Sequence, residues 1–152
     1  KSKIIKLSRQ TDTDVEKCIK FAISRKYDEV VLLGATGDRL DHTFGNLGIV
    51  LKYFKEITVR ILHHRSYLSA YEGNICLNTH PDEIVSVYGI DKKTIISSDG
   101  LKYALKNISL PFGKKESTSN VALGDKLVLQ IKGGIAFVIR DFRMMKKYDL
   151  FQ

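Results

Sequence analysis

The sequence predicts an α/β unit followed by an all-β unit, and three observations carry that expectation. Strand-like and helix-like segments alternate up to about residue 63. Beyond it come short β-branched and aromatic runs broken by Gly, Asn, Asp and Pro. The apolar period changes at the same place, from i, i+3, i+4 spacing to short runs. The boundary falls near 63–66, giving an α/β unit over 1–63, a β unit over 64–140 and a charged tail over 141–152.

In chain order, "KIIKL" at 3–7 reads as a short buried strand. Val15, Cys18, Ile19, Ala22 and Ile23 form a helical stripe, which makes Cys18 a core residue. Thr13 with Glu16 three residues on is a capping-box pattern, so this helix is expected to begin near Asp14. "EVVLLG" has the unbroken apolar character of a strand covered on both faces. After "ATGDRLDH", the residues Phe44, Leu47, Val50, Leu51 and Phe54 mark a second amphipathic helix, and "ITVRIL" a third strand. Such a β-α-β-α-β order requires parallel pairing through right-handed crossovers, a partial Rossmann-like sheet. "QTDTD" and "ATGDRLDH" each close a strand and open a helix. Both are therefore expected at one carboxyl edge, where open α/β sheets bind ligands. From residue 64, "SYLSAYEG", "NICLNT", "EIVSVYGI", "TIISS", "LKYAL", "KLVLQI" and "IAFVIR" read as short strands of an antiparallel β-sandwich.

Composition narrows the function classes. With 152 residues, 43% of them hydrophobic, the chain can bury a core. No run of eighteen apolar residues occurs and "KSKIIKLSRQ" lacks a signal-peptide core, so a cytoplasmic protein with no membrane partner is expected. Two cysteines make no disulfide framework. A net charge of +8 favours an anionic partner, but the basic residues are scattered and no RNA-binding aromatic signature occurs. Nucleic acid is not the expected partner. Because the first residue is Lys1, the sequence is expected to begin inside a longer gene product.

The polar connectors hold the candidate chemistry. Gly34 and Gly37 supply either a tight turn or a backbone open to phosphate, with Thr36 as a possible hydroxyl donor. Arg39 offers a planar fork to phosphate oxygens, and Asp41 can fix that arginine, cap the helix or bind a donor. Asp12 and Asp14 either support the helix start or bind Mg²⁺ beside a phosphate. The histidines show no zinc-ligand spacing. A dehydrogenase-like NADP-binding module is the main alternative, but Leu40 stands where its fingerprint needs a third glycine, and no acid ends "ITVRILHH". His64 and Arg65 would serve NADP in that reading. An anion-binding β module with a vestigial α/β arm is a third, non-enzymatic reading.

Four segments taken together resemble the thiamine pyrophosphokinase (thiamine diphosphokinase) family. They are "QTDTD" at 10–14, "GATGDRLDH" at 34–42 with Asn46 after it, "GLKYAL" at 100–105 and "STSN" at 117–120, in the family's order. The resemblance implies an α/β catalytic domain, then a thiamine-binding β-sandwich, in a homodimer with its thiamine sites between subunits. It implies transfer of the pyrophosphoryl group of ATP to the thiamine hydroxyl, releasing AMP, with Mg²⁺. By the same resemblance Gln10, Thr13, Gly34, Thr36, Gly37, Arg39 and His42 handle ATP. Asp14, joined by Asp12, binds the metal, and Asp14, Arg39 and Asp41 form the catalytic group. Asp41, Asn46, Ser117, Ser119 and Asn120 face thiamine. The family's A-D-G-G and D-x-D-S segments, which carry further metal-binding acids, do not occur in this chain. It is therefore expected to be the carboxyl-terminal two-thirds of such an enzyme.

Overall fold

In the computed structural model, which describes residues 11–37 and 39–151, helix α1 spans Asp14–Ser24 and starts where its cap predicts. The Thr13 hydroxyl accepts the Glu16 N–H at 3.2 Å. The Glu16 carboxylate reaches across to the end of the next helix rather than serving the capping box. The strand expected at 3–7 and Gln10 lie outside the described residues. Cys18 is exposed, a correction to its expected place in the core. Ile19 is the centre of the buried face, and Cys18 sits about 100° round the helix from it.

Strand β1 (Glu29–Leu33) and strand β2 (Thr58–Leu62) pair in parallel, Glu29 opposite Thr58 and Leu33 opposite Leu62, with helix α2 (Leu40–Lys52) crossing between them. β1 was expected to be covered on both faces, yet Val31 and Leu33 are exposed. The cause is its position at the end of the strand order among the described residues.

The second half departs from a row of short strands. β3 (Ser66–Asn78) joins two expected strands into one, and β8 (Lys126–Asp141) does the same. Between them come β4 (Ile84–Gly89), β5 (Ile95–Asp99), β6 (Ile108–Ser109) and β7 (Ser117–Val121). β3 and β8 pair along their whole length but shift register between Tyr71 and Gly73, where Tyr71 faces Ala136 and Gly73 faces Ile131. One half of β8 then carries β4, and the other carries β5. Glycine bends these strands where it was expected to end them. Gly133 has φ +76°, and a Cβ there would lie 2.6 Å from the Lys93 carbonyl oxygen. "LKYAL" is a turn with one bridge, Leu101 to Ala122, rather than a strand.

The sheet is mixed and continuous, in the order β1-β2-β3-β8-β4-β7, with β5 and β6 on the β8 side. The α/β and β parts are therefore hydrogen-bonded to each other through β2 and β3 rather than separated by a linker. One core gathers Ile19, Ile49, Val50, Val59 and Ile61 and takes in Leu68 and Phe137 from the long strands. The other lies among Val85, Val87, Ile96, Leu127, Leu129 and Val138. A buried ion pair ties Glu83, just before β4, to β8: Arg140 donates Nε to Glu83 Oε1 at 2.6 Å and Nη2 to Oε2 at 2.9 Å and the Asn78 carbonyl at 2.6 Å. The expected tail contains helix α3 (Phe142–Tyr148), capped by Asp141 and anchored by Met145 and Leu150 against Tyr67. No helix among the described residues is long and apolar enough to cross a membrane.

Candidate functional site

The segment from Gly34 to Asn46 leaves β1 at its carboxyl end and enters α2. Gly34 has φ +66°, a conformation that costs other residues about 1–2 kcal/mol. Among the described residues, no atom beyond the chain neighbours lies within 4 Å of where a Cβ would stand at Gly34 or Gly37. Two side chains hold the turn from outside. Buried Asn46 donates Nδ2 to the Ala35 carbonyl at 2.8 Å, and the Thr36 hydroxyl lies 2.7 Å from His63 Nδ1 at the end of β2.

Arg39 occupies the N-cap position of α2 but makes no side-chain cap, so unlike α1 this helix starts without one. Its guanidinium lies fork-on to Asp41, Nη2 to Oδ2 at 2.6 Å and Nε to Oδ1 at 3.3 Å. This pairing holds the Asp41 carboxyl below the usual carboxylate range and raises Arg39. Both side chains are largely exposed, leaving the fork free to exchange partners.

A cavity of about 320 Å³ opens here, lined by Val15, Leu33, Gly34, Ala35, Gly37, Arg39, His42 and Asn46 among others. Val15 belongs to the first turn of α1, so the start of α1 and the 34–46 segment meet at one opening. Of the described residues of the first connector, 11–14, none lines this cavity; Val15, the residue after it, does. Asp14 immediately precedes Val15; its side chain is exposed and pairs with Lys17 at 3.1 Å. Asp12 is paired with Lys20 at 2.8 Å. Thr36 stands apart from this opening: it lines a neighbouring cavity of about 270 Å³ with Thr43, Leu47, His63 and Ser66.

The described residues contain no cluster of three or more metal-ligating side chains. Mg²⁺ does not require one, because one or two carboxylates with phosphate oxygens and water suffice. Each of these carboxylates is paired with a lysine, Asp14 with Lys17 and Asp12 with Lys20, and Asp14 is the more exposed of the two.

Around "STSN" the structure joins two segments. Asn120 is 2% exposed and accepts N–H bonds from Tyr103 (3.0 Å) and Val121 (2.9 Å). It donates to the Tyr103 carbonyl at 2.8 Å and to Ser117 Oγ at 3.0 Å. Ser119, at φ +54°, donates its N–H to Ser86 Oγ at 2.9 Å. Ser117, Thr118, Asn120, Tyr103 and Lys115 border a cavity of about 250 Å³. A fourth, apolar cavity of about 420 Å³ lies between α2 and the long strands, walled by Phe44, Leu47, Tyr88, Phe112 and Phe137. The Tyr88 hydroxyl is 3.2 Å from Thr118 Oγ1, which links that cavity to the "STSN" strand.

Sequence reasoning missed His63, Tyr103 and Tyr88. The Thr36–His63 and Tyr88–Thr118 contacts span 27 and 30 residues, so no local pattern announces them. Tyr103 was quoted within "GLKYAL", and its backbone, not its phenol, makes the contact.

Comparison with known proteins agrees along most of the chain. A family model described as thiamin pyrophosphokinase, catalytic domain, matches residues 1–61, and one described as thiamin pyrophosphokinase, vitamin B1 binding domain, matches 74–135. Thiamin pyrophosphokinase 1 of Caenorhabditis elegans is 29% identical over 160 residues, covering 97% of this chain and 66% of the relative. The crystal structure of thiamine pyrophosphokinase from Bacillus subtilis superposes with a TM-score of 0.80 at 22% identity, covering 88% of this chain and 64% of that one. Thiamin pyrophosphokinase from Geobacillus thermodenitrificans gives a TM-score of 0.78 at 26% identity, covering 88% and 63%. The chain thus spans just under two-thirds of the length of these relatives. The dehydrogenase-like alternative draws no support from them. Matched by both family models of one enzyme, and sharing its mixed sheet, the chain belongs to the thiamine pyrophosphokinase family.

Proposed function

We propose that this chain carries the phosphate-handling and thiamine-handling parts of an enzyme that moves the pyrophosphoryl group of ATP to the hydroxyl of thiamine, giving thiamine diphosphate and AMP. The supporting observation is the cavity shared by the first turn of α1 and the 34–46 segment. It lies at the carboxyl end of a parallel strand, beside a helix start without a side-chain cap and next to an exposed arginine fork.

In-line displacement at the β-phosphorus spreads negative charge over oxygens, so positioning and cationic stabilisation do most of the work. Arg39 is placed to grip those oxygens, with the N–H groups at the start of α2 and the open backbone at Gly34 and Gly37. Thr13, Gln10, Thr36 and His42 complete the ATP-handling set, Thr36 through the turn rather than through the cavity. When bound, Mg²⁺ would be held by Asp14 with phosphate oxygens, and it supplies charge neutralisation on the transferring group. Transfer of Arg39 from Asp41 to phosphate would release the Asp41 carboxylate toward the thiamine hydroxyl or its pyrimidine ring. Ser117 and Ser119 are the polar groups offered to thiamine in the β part. Asn120 and Asn46 shape their segments, since Asn120 has all four hydrogen-bonding positions filled by the protein.

In this reading residues 1–63 serve ATP and 64–140 serve thiamine, the working form is a homodimer, and both exposed cysteines suit the cytoplasm. The test is incubation of the protein with thiamine, ATP and Mg²⁺, reading AMP and, after oxidation to thiochrome, thiamine diphosphate. Product that disappears in Asp14→Asn with the fold intact supports the reading. NADPH binding without binding of Mg²⁺-ATP or thiamine overturns it.

A further inference from the structure

We propose that His63 is a positioning residue for the Gly34–Gly37 turn, acting through Thr36. The inference rests on the function proposed above, since it assigns that turn to phosphate.

His63 is a fixed post. Its N–H donates to the Ser66 carbonyl at 2.9 Å and its carbonyl accepts the Ser66 N–H at 3.3 Å, closing a two-residue hairpin over His64 and Arg65. The tip of that hairpin is tied down in turn, because the Arg65 carbonyl accepts the Phe142 N–H at 3.0 Å where α3 begins. From this post the imidazole Nδ1 meets the Thr36 hydroxyl at 2.7 Å, across 27 residues of sequence. Within the turn, Ala35 is buried against the core that holds Ile49 and Val50, while Thr36 borders a cavity of about 270 Å³ with Thr43, Leu47 and His63. Among the described residues nothing approaches a Cβ position at Gly34 or Gly37, and two side-chain hydrogen bonds reach the turn, Asn46 at Ala35 and His63 at Thr36. A phosphate site needs its N–H groups fixed before the ligand arrives, since a turn that must first be ordered loses part of the binding free energy.

The contact is at Nδ1, which gives the test its discrimination. Asparagine places an amide near the Nδ1 position, whereas glutamine reaches toward Nε2. Mg²⁺-ATP binding is measured by calorimetry in the unaltered chain, His63→Ala, His63→Asn, His63→Gln, Thr36→Val and the Thr36→Val/His63→Ala double variant. Amide hydrogen exchange at Thr36 and Gly37 is followed in each. His63→Ala, His63→Gln and Thr36→Val are expected to weaken binding by about three- to tenfold, the scale of one hydrogen bond, and to speed exchange in the turn. His63→Asn is expected to restore both, and the double variant to be no weaker than either single one, with thermal midpoints alike throughout. Unchanged affinity in His63→Ala, or fully additive losses in the double variant, overturns the inference while leaving the proposed function standing. If the unaltered chain binds no Mg²⁺-ATP, the proposed function fails, and unchanged exchange in His63→Ala then overturns this inference as well.

Discussion

Asn120 and Tyr103 exchange hydrogen bonds: the Tyr103 N–H donates to Asn120 Oδ1 at 3.0 Å, and Asn120 Nδ2 donates back to the Tyr103 carbonyl at 2.8 Å. A side chain thus behaves as a strand would, stitching the turn at 100–105 to β7 where only one backbone bridge joins them. Asn120→Ala removes four part-buried hydrogen bonds at once and should cost about 1–3 kcal/mol. Asn120→Asp keeps the acceptors, loses both donors and should fall between. Urea unfolding ranks the three proteins; an alanine variant as stable as the parent would refute the stitch.

The Glu83–Arg140 pair is almost wholly buried, 0% and 5% exposed. Removing one charge strands the other, so Glu83→Leu and Arg140→Met should each destabilise by about 3–5 kcal/mol. The Glu83→Leu/Arg140→Met double variant should lose less than the sum of its singles. Denaturant midpoints in a double-mutant cycle check this, and strict additivity would contradict it.

Acid stability should depend on Glu16. Its hydrogen bond from Lys52, then that from Tyr53, holds the carboxyl at about 2, down from 4.5. A depressed carboxylate stabilises the fold fully above its unfolded value, and the contribution vanishes as pH falls through the folded one. The parent should therefore lose stability between pH 4.5 and about 2. Glu16→Gln, weaker at neutral pH, should show a shallower slope in that window. Parallel slopes would argue against the pairing.

The two glycines of the turn should separate folding from binding. Gly34→Ala forces a left-handed backbone on alanine and should cost about 1–2 kcal/mol. Gly37 carries no such conformation and has room for a methyl group, so Gly37→Ala should keep the parent's thermal midpoint. If phosphate approaches that backbone, the same methyl group should weaken Mg²⁺-ATP binding by an order of magnitude or so, about 1.4 kcal/mol.

How much of this was legible depended on the range of the interaction. The Thr13 cap and the parallel β1–β2 pair follow from local spacing and crossover handedness, and the sequence carries both. The long strands were read as broken because Gly73, Gly133 and Gly134 look like turn signals, while only tertiary pairing shows that they bend a continuous ladder. Helix α3 has seven residues, too few for a periodic stripe. Cys18 was misplaced because Glu16, polar by type, takes the inward position through partners 36 and 37 residues away. The clamps at Asn46 and His63 depend on contacts made only after folding.

The most direct test of a shared phosphate site is a Mg²⁺-ATP titration of the labelled chain followed by backbone amide NMR. The account predicts that Thr13–Val15 and Gly34–Asn46 shift together and saturate with a single dissociation constant. Shifts confined to one of the two segments, or to neither, would contradict it.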